Sequence, residues 1–386
     1  MPLFFFALLL LLNSVQATAQ IATAPSPRTG AALQQAEAAL AAGDRDGALA
    51  AIEPVLEEDP ANRTAVALKI RAHAAKDEWE IGLAAYEAWL AVRNTEDATL
   101  LEPIGRAALR RLEADAPQFT IQAWERLACV GDADSERKLR SVGATGPYAA
   151  PTVLHTVALA RLGDPAAIAE LRRLASLGSR GERAMALGAI GALDSKAAEG
   201  LVVAALQDKD PSMRLVAIGA ARHLADAPVR GPLRALLEDR VLLMQLEAAG
   251  ELFRRGDASV RPRLEEALKS EFPDAQLTAA RALANREGDS WRTTALALLD
   301  SRDGLFRLDA ADILLQAEPA KARAVLDAAA ADANPVVRAA AVRLLLAKTQ
   351  VDLPTLRTWL KDASPATRIE AAGRLAGPDT RCKAVN

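Results

Sequence analysis

Residues 332–346, DANPVVRAAAVRLLL, decide the fold. Asn334 is a helix cap, because its side chain accepts a bond from an orphan backbone N–H at the helix start. Pro335 suits the next position, having no N–H to leave unpaired. Ala341, Val342 and Leu345 follow Arg338 by three, four and seven residues, which places them on one helical face. The same pattern recurs upstream and downstream. Positions equivalent to Arg338 are Arg183, Arg214, Gln245, Gln276, Arg307 and Arg368, at steps of 31, 31, 31, 31, 31 and 30 residues. Counting back from Arg183 gives two poorer copies, anchored at Thr152 and Ile121.

Each unit reads as two helices. The first carries Ala three residues after the anchor: Ala186, Ala217, Ala248, Ala279, Ala310, Ala341 and Ala371. A side chain this small sets close helix contact. The second helix is expected to start at an acidic cap (Asp164, Asp194, Asp226, Asp257, Asp289, Glu318, Asp352), where a carboxylate suits the positive helix end. It carries a core Leu in register: Leu171, Leu201, Leu233, Leu264, Leu326 and Leu356, with Leu296 one residue off. One such unit cannot bury its apolar face alone, so neighbours must stack.

Upstream the period changes. Gly43, Ala48, Ile52 and Pro60 recur 34 residues later as Asp77, Gly82, Tyr86 and Asn94, and a third copy from about Asp97 decays after Leu112. Residues 31–115 therefore resemble tetratricopeptide repeats. Residues 116–386 resemble the short HEAT repeats of phycobilisome-lyase-like proteins, on Asp210-Pro211-Ser212-Met213-Arg214 with Ala217, Asn334-Pro335-Val336-Val337-Arg338 with Ala341, and Arg368 with Ala371-Ala372 and Leu375. The resemblance implies an all-α fold, a right-handed α-α superhelix in two segments joined near residues 114–118. It also implies that second helices line the concave surface.

The ends of the chain read differently. Leu3–Leu12, LFFFALLLLL, followed by Ala17-Thr18-Ala19, is a signal-peptide pattern over residues 1–19, with cleavage expected before Gln20. No Lys or Arg precedes the apolar run. The run is about half the length that crosses a bilayer as a helix. A periplasmic or secreted location is expected, with no membrane span after cleavage. Residues 20–30 read as a disordered linker. Gly143–Pro151 is the clearest loop. At the far end, residues 365–376 read as a lone capping helix and residues 379–386, DTRCKAVN, as a mobile tail whose deletion should be harmless.

Cys129 and Cys382 are the two cysteines. In an open stack with helices ~10 Å apart they would lie far beyond disulfide reach, so both are expected to be free thiols.

Chemistry is sparse. The histidines, His73, His155 and His223, fall in different units, which excludes a histidine metal site, and no cofactor or metal is expected. Ser135–Lys138 matches S-x-x-K without its companion motifs, and Asp132–Glu136 lacks the glycine of a calcium loop. Net charge is −3 with basic doublets scattered, so no nucleic acid is expected. The chain reads as a monomeric, non-catalytic scaffold or adaptor for a protein or peptide, with assembly of an envelope complex as one such role. Candidate partner-binding residues on the second helices are Arg172, Arg173, Val203, Arg234 and Arg357. Because lyase components of bilin attachment share this repeat, the resemblance also implies an alternative, an enzyme or enzyme subunit.

Overall fold

Asn334 does cap a helix: its side-chain oxygen accepts from Val336 N–H, and the helix runs Pro335–Lys348. The computed structural model describes residues 26–142, 152–284 and 288–383, and among them all regular structure is helical, with no strand. The targeting segment, the cleavage site and the loop Gly143–Pro151 lie outside the described residues. The 34-residue segment comprises α1 (Pro27–Ala41), α2 (Arg45–Glu58), α3 (Arg63–Ala74), α4 (Trp79–Arg93) and α5 (Ala98–Asp115). The 31-residue array follows as first and second helices. These are α6 (Thr120–Cys129) with α7 (Ala133–Ser141), α8 (Val153–Arg161) with α9 (Pro165–Leu177), and α10 (Arg180–Leu193) with α11 (Ser195–Ala205). Then come α12 (Pro211–Ala221) with α13 (Asp226–Ala235), α14 (Leu242–Arg254) with α15 (Arg261–Ala267), and α16 (Pro273–Leu283) with α17 (Ser290–Leu298). The array continues with α18 (Gly304–Leu314) and α19 (Pro319–Ala329), then α20 (Pro335–Lys348) and α21 (Leu353–Leu360). It ends on an unaccompanied first helix, α22 (Pro365–Leu375).

The repeat residues do what their spacing requires. All seven alanines three residues after the anchors are 0% exposed. Leu171, Leu233, Leu264 and Leu326 are likewise fully buried, but in α11 the core position is taken by Val202, one residue beyond Leu201. Asp164, Asp194, Asp257 and Asp352 accept backbone N–H bonds at second-helix starts. Asp226, Asp289 and Glu318 make no such cap bond. Asp226 is already inside α13 and pairs with Arg230, and Asp289 pairs with Arg292. In the upstream segment Asp77 (φ 57°) adopts the left-handed turn that Gly43 (φ 80°) adopts 34 residues earlier. Aspartate is one of the few side chains that tolerate it. The linker expectation fails at Pro27–Gly30, which belong to α1 because the Ser26 side chain caps Thr29 N–H and Pro27 starts the helix.

The anchors have a defined task. Arg214, Arg307, Arg338 and Arg368 each donate to the carbonyl six residues upstream, in the turn that precedes their own helix. Their second amino group, in the first three, reaches the aspartate of the next turn: Arg214 to Asp239 (2.9 Å), Arg307 to Asp332 (3.5 Å) and Arg338 to Asp362 (3.2 Å). Arg183 bonds Asp208 in the same way (2.5 Å). Gln245 and Gln276 keep the carbonyl bond, to Asp239 and Ser270 (both 2.7 Å), but are too short for the second. The turns after them carry Ser270 and Ser301 where the other turns carry aspartate. An aspartate there would be a half-buried charge without its cation. Arg214→Gln alone is therefore expected to cost about 2–3 kcal/mol, since the Arg214–Asp239 pair is largely buried. Adding Asp239→Ser should recover most of the loss by reproducing the Gln245–Ser270 arrangement. A double-mutant cycle on denaturant midpoints checks this, and additive losses would overturn it.

The array does not remain open. α22 packs against α5 and touches α6. Its Ile369, Ala371, Ala372, Gly373 and Leu375 are all buried. α5 thus stands where the missing second helix of α22 would be. Among the described residues, eight consecutive hairpins plus this split α22–α5 pair make a closed ring of nine, with α1–α4 appended to it through α3, α4 and α5. The expectation of an exposed cap and a mobile tail is overturned. Arg381 N–H donates to Cys129 O, Lys383 N–H to Arg161 O, and Cys129 is disulfide-bonded to Cys382, with Cα atoms 5.1 Å apart. The free-thiol expectation failed because it assumed a straight stack, whereas the units' rotations add up to bring the first and last together.

Candidate functional site

Curvature decides which helices face the enclosed side. Consecutive first helices approach one another closely all along the array, whereas among second helices only α9 with α11 and α11 with α13 come comparably near. The more tightly spaced layer of a curved stack is the inner one, so the first helices line the concave side. Small residues permit it: a Cβ on Gly191 of α10 would stand 3.0 Å from the Cβ of Ala220 on α12. The implied placement of second helices on the concave side is therefore corrected.

On this inner layer, polar side chains link the first helices from α12 onward through the closure to α8. Arg222, at the C-terminal cap of α12, faces Glu247 and Glu251 of α14, at 4.0 and 3.9 Å. Thr278 of α16 donates to Glu247 (3.2 Å), and Arg281 of α16 reaches Asp309 of α18 (3.2 Å). Lys348 of α20 pairs with Asp312 of α18 (3.4 Å), and Arg343 of α20 with Glu370 of α22 (2.9 Å). The series crosses the closure, where Arg126 of α6 shares Glu370 (3.1 Å), and continues through Glu125 of α6 to Arg161 of α8 (2.5 Å).

Two of these acids lie deeper than the bases around them. Glu251 is 2% exposed and Glu370 9%, whereas Arg222, Arg254 and Arg343 are 50%, 46% and 65% exposed. Glu251 is sustained in that burial by Arg254 and Arg255, each donating to its carboxylate. Around Glu251 and Glu370 the concave surface thus offers guanidinium tips to solvent with their counter-charges beneath, whereas Asp309 (50%) is as open as its partner Arg281 (40%). Two adjoining cavities open on it. One, of about 280 Å³, lies between α12, α14 and α16 and is lined by Arg222, Glu247, Glu251, Arg254, Thr278 and Arg281. The second, of about 790 Å³, shares Arg281 and adds Asp312 of α18, Gln316 of the turn after it, Arg323 of α19 and Lys348 of α20.

The residues singled out from sequence are not brought together. Arg172 and Arg173 are exposed on α9, where Arg173 forms a two-point pair with Glu170 (both 2.7 Å). Val203 is half-buried in α11. Arg234 of α13 pairs with Asp257 (2.8 Å), whose carboxyl is held down to about 2 by the Ser259 hydroxyl first and Arg234 second. Arg357 of α21 belongs to the closure: it pairs with Glu96 (2.8 Å) and stacks over Tyr86. Burial, and then the Tyr86 O–H···Glu96 bond, push the Tyr86 phenol up to about 12. Lys361 adds a second cross-closure pair, with Glu87 (2.7 Å). The histidines stand apart, with His155 bonded to Leu139 O and His73 to Glu78. No group of three His, Cys, Asp or Glu among the described residues is placed to hold a metal ion. The concave residues escaped notice because in the sequence they are ordinary charged positions of amphipathic helices. Their one signal was recurrence of charge at two and five residues past the anchors, as in Glu247, Asp309 and Glu370, and in Arg281, Asp312 and Arg343.

Fold and surface together define a class: an all-α helical-repeat solenoid closed on itself, with a polar concave face. No protein-family model and no curated protein matches the chain. Among solved structures it is similar to human deoxyhypusine hydroxylase in complex with glycerol, at 23% identity and a TM-score of 0.34, over 64% of this chain and 98% of that one. That protein is by its name an enzyme, and the expectation that this chain is non-catalytic is not carried forward. A likeness of this degree carries no assignment of activity. No helix among the described residues is long and apolar enough to cross a membrane.

Proposed function

We propose that this chain is an exported helical-repeat adaptor that holds a protein partner on its concave face. The observation that carries the reading is the pair of adjoining cavities along α12 to α20, in the first of which exposed Arg222 and Arg254 overlie the buried Glu251 carboxylate. Protein interfaces of moderate affinity are built from such polar surfaces around a few well-packed anchors. On this reading the array is of the short HEAT type and α1–α5 of the tetratricopeptide type. Export is supported by the Leu3–Leu12 run with Ala17-Thr18-Ala19, and by a disulfide between the only two cysteines, which persists in oxidising compartments. The reading concerns binding and is indifferent to whether chemistry follows.

Site-specific photo-crosslinkers tell the two faces apart. A crosslinker in place of Arg343, on the concave face, is expected to trap one discrete partner in the native cell envelope. The same group in place of Arg172, on the outer layer, should trap none. Capture from the Arg172 position alone would overturn the assignment of the face.

A further inference from the structure

We propose that the concave cavities accept an acidic polypeptide segment, a run rich in Asp and Glu presented by the partner. This deepens the functional reading above and rests on it. The chain as a whole carries net charge −3, yet the two linings together hold five cations, Arg222, Arg254, Arg281, Arg323 and Lys348, against three carboxylates, Glu247, Glu251 and Asp312. Lys348 is 53% exposed and Arg281 40%, alongside Arg222 and Arg254 described above. A guanidinium has five N–H donors. One that reaches a single carboxylate on the neighbouring helix, as Arg281 does Asp309, can also bond a second carboxylate arriving from solvent.

Spacing favours a chain over a small molecule. Arg222, Arg254 and Arg281 stand at three successive first helices, α12, α14 and α16, ~9–10 Å apart, with Lys348 two helices further on in α20, and an extended peptide places every third residue ~10 Å apart. The two cavities share Arg281 and so form one continuous track from α12 to α20. A single-stranded nucleic acid would also be attracted by charge, but none of the described residues lining either cavity is aromatic and able to stack a base.

The test is fluorescence anisotropy of the full-length mature protein with a labelled peptide bearing Glu at every third position. A lysine counterpart and a labelled oligothymidylate serve as competing chemistries. The acidic peptide is expected to bind, and to weaken at least tenfold between low and high salt because exposed charges are screened. Arg222→Glu combined with Lys348→Glu should weaken binding at least tenfold, while Arg172→Glu on the outer layer should change it less than twofold. Thermal melts followed by circular dichroism establish that the double variant is folded. If it is not, Lys348→Glu alone serves, with at least threefold weakening expected. No binding, equal binding by the reversed variant, or tighter binding of the lysine peptide or the oligonucleotide would each overturn the proposal. Mapping the segment trapped at the Arg343 position separates the two claims. A trapped segment without acidic residues removes this inference and leaves the adaptor reading standing, whereas no trapped partner removes both.

Discussion

Cys382→Ser, or reduction of the native protein, is expected to lower stability by about 3–5 kcal/mol without changing the native radius. A cross-link acts mainly by restricting the unfolded chain, and its effect grows with the length enclosed. Here the bond joins residues 253 positions apart, so nearly the whole array is looped. The native ring should stay shut without it. Burial of α22 against α5, with Leu101 and Ile104 of α5 fully covered, and the pairs Arg126–Glu370, Arg357–Glu96 and Lys361–Glu87 all span the closure independently of sulfur. Denaturant titration with and without reductant, alongside gel filtration, checks both halves of the expectation. An unchanged midpoint would show that the disulfide adds nothing. An expanded native state would show that it alone holds the ring. Deleting residues 379–386 removes Cys382 together with the Arg381 and Lys383 backbone bonds, so it should cost at least as much as the serine substitution.

Gly105→Ala should cost about 2–3 kcal/mol, although the same exchange in a helix interior ordinarily gains about 0.5–1. A Cβ at Gly105 in α5 would stand 2.7 Å from Ala376 N, 2.8 Å from Ala372 O and 2.8 Å from Leu375 Cβ at the end of α22. Two of these are backbone atoms, which cannot swing aside, so the two helices must separate and the seam loosens. Arg106, the next residue, donates to Ala376 O and would be drawn away with it. Gly200, within α11, is the control: nothing lies within 4 Å of where its Cβ would stand, and Gly200→Ala should stabilise by about 0.5–1 kcal/mol. Thermal denaturation of both variants in one buffer gives the comparison. A stabilised Gly105→Ala protein would mean that α5 and α22 are not in close contact in solution.

Much of the molecule was legible from short-range pattern. The Asn334–Pro335 start, the buried alanine three residues past every anchor and the change of period near residue 116 each depend on contacts within a unit or between neighbours, and such contacts leave a mark at fixed spacing. The Gln245 and Gln276 departures were visible too, though their compensation by Ser270 and Ser301 acquires meaning only when the anchor is seen to reach into the next turn. Two half-units were also present in the sequence, a lone first helix at Pro365–Leu375 and a third 34-residue copy that decays after Leu112, but nothing local says that they complete each other. Closure depends on a small rotation between units, accumulated until the ninth meets the first. No single unit's residues encode that sum, because each is satisfied by its immediate neighbours whether or not the ends join. The pairing of Cys129 with Cys382, the burial of α22 and the choice of first helices for the concave wall all follow from that sum. The sequence by itself determined the repeating unit and its core; only the tertiary structure decided that the array bends with its first helices inward and closes.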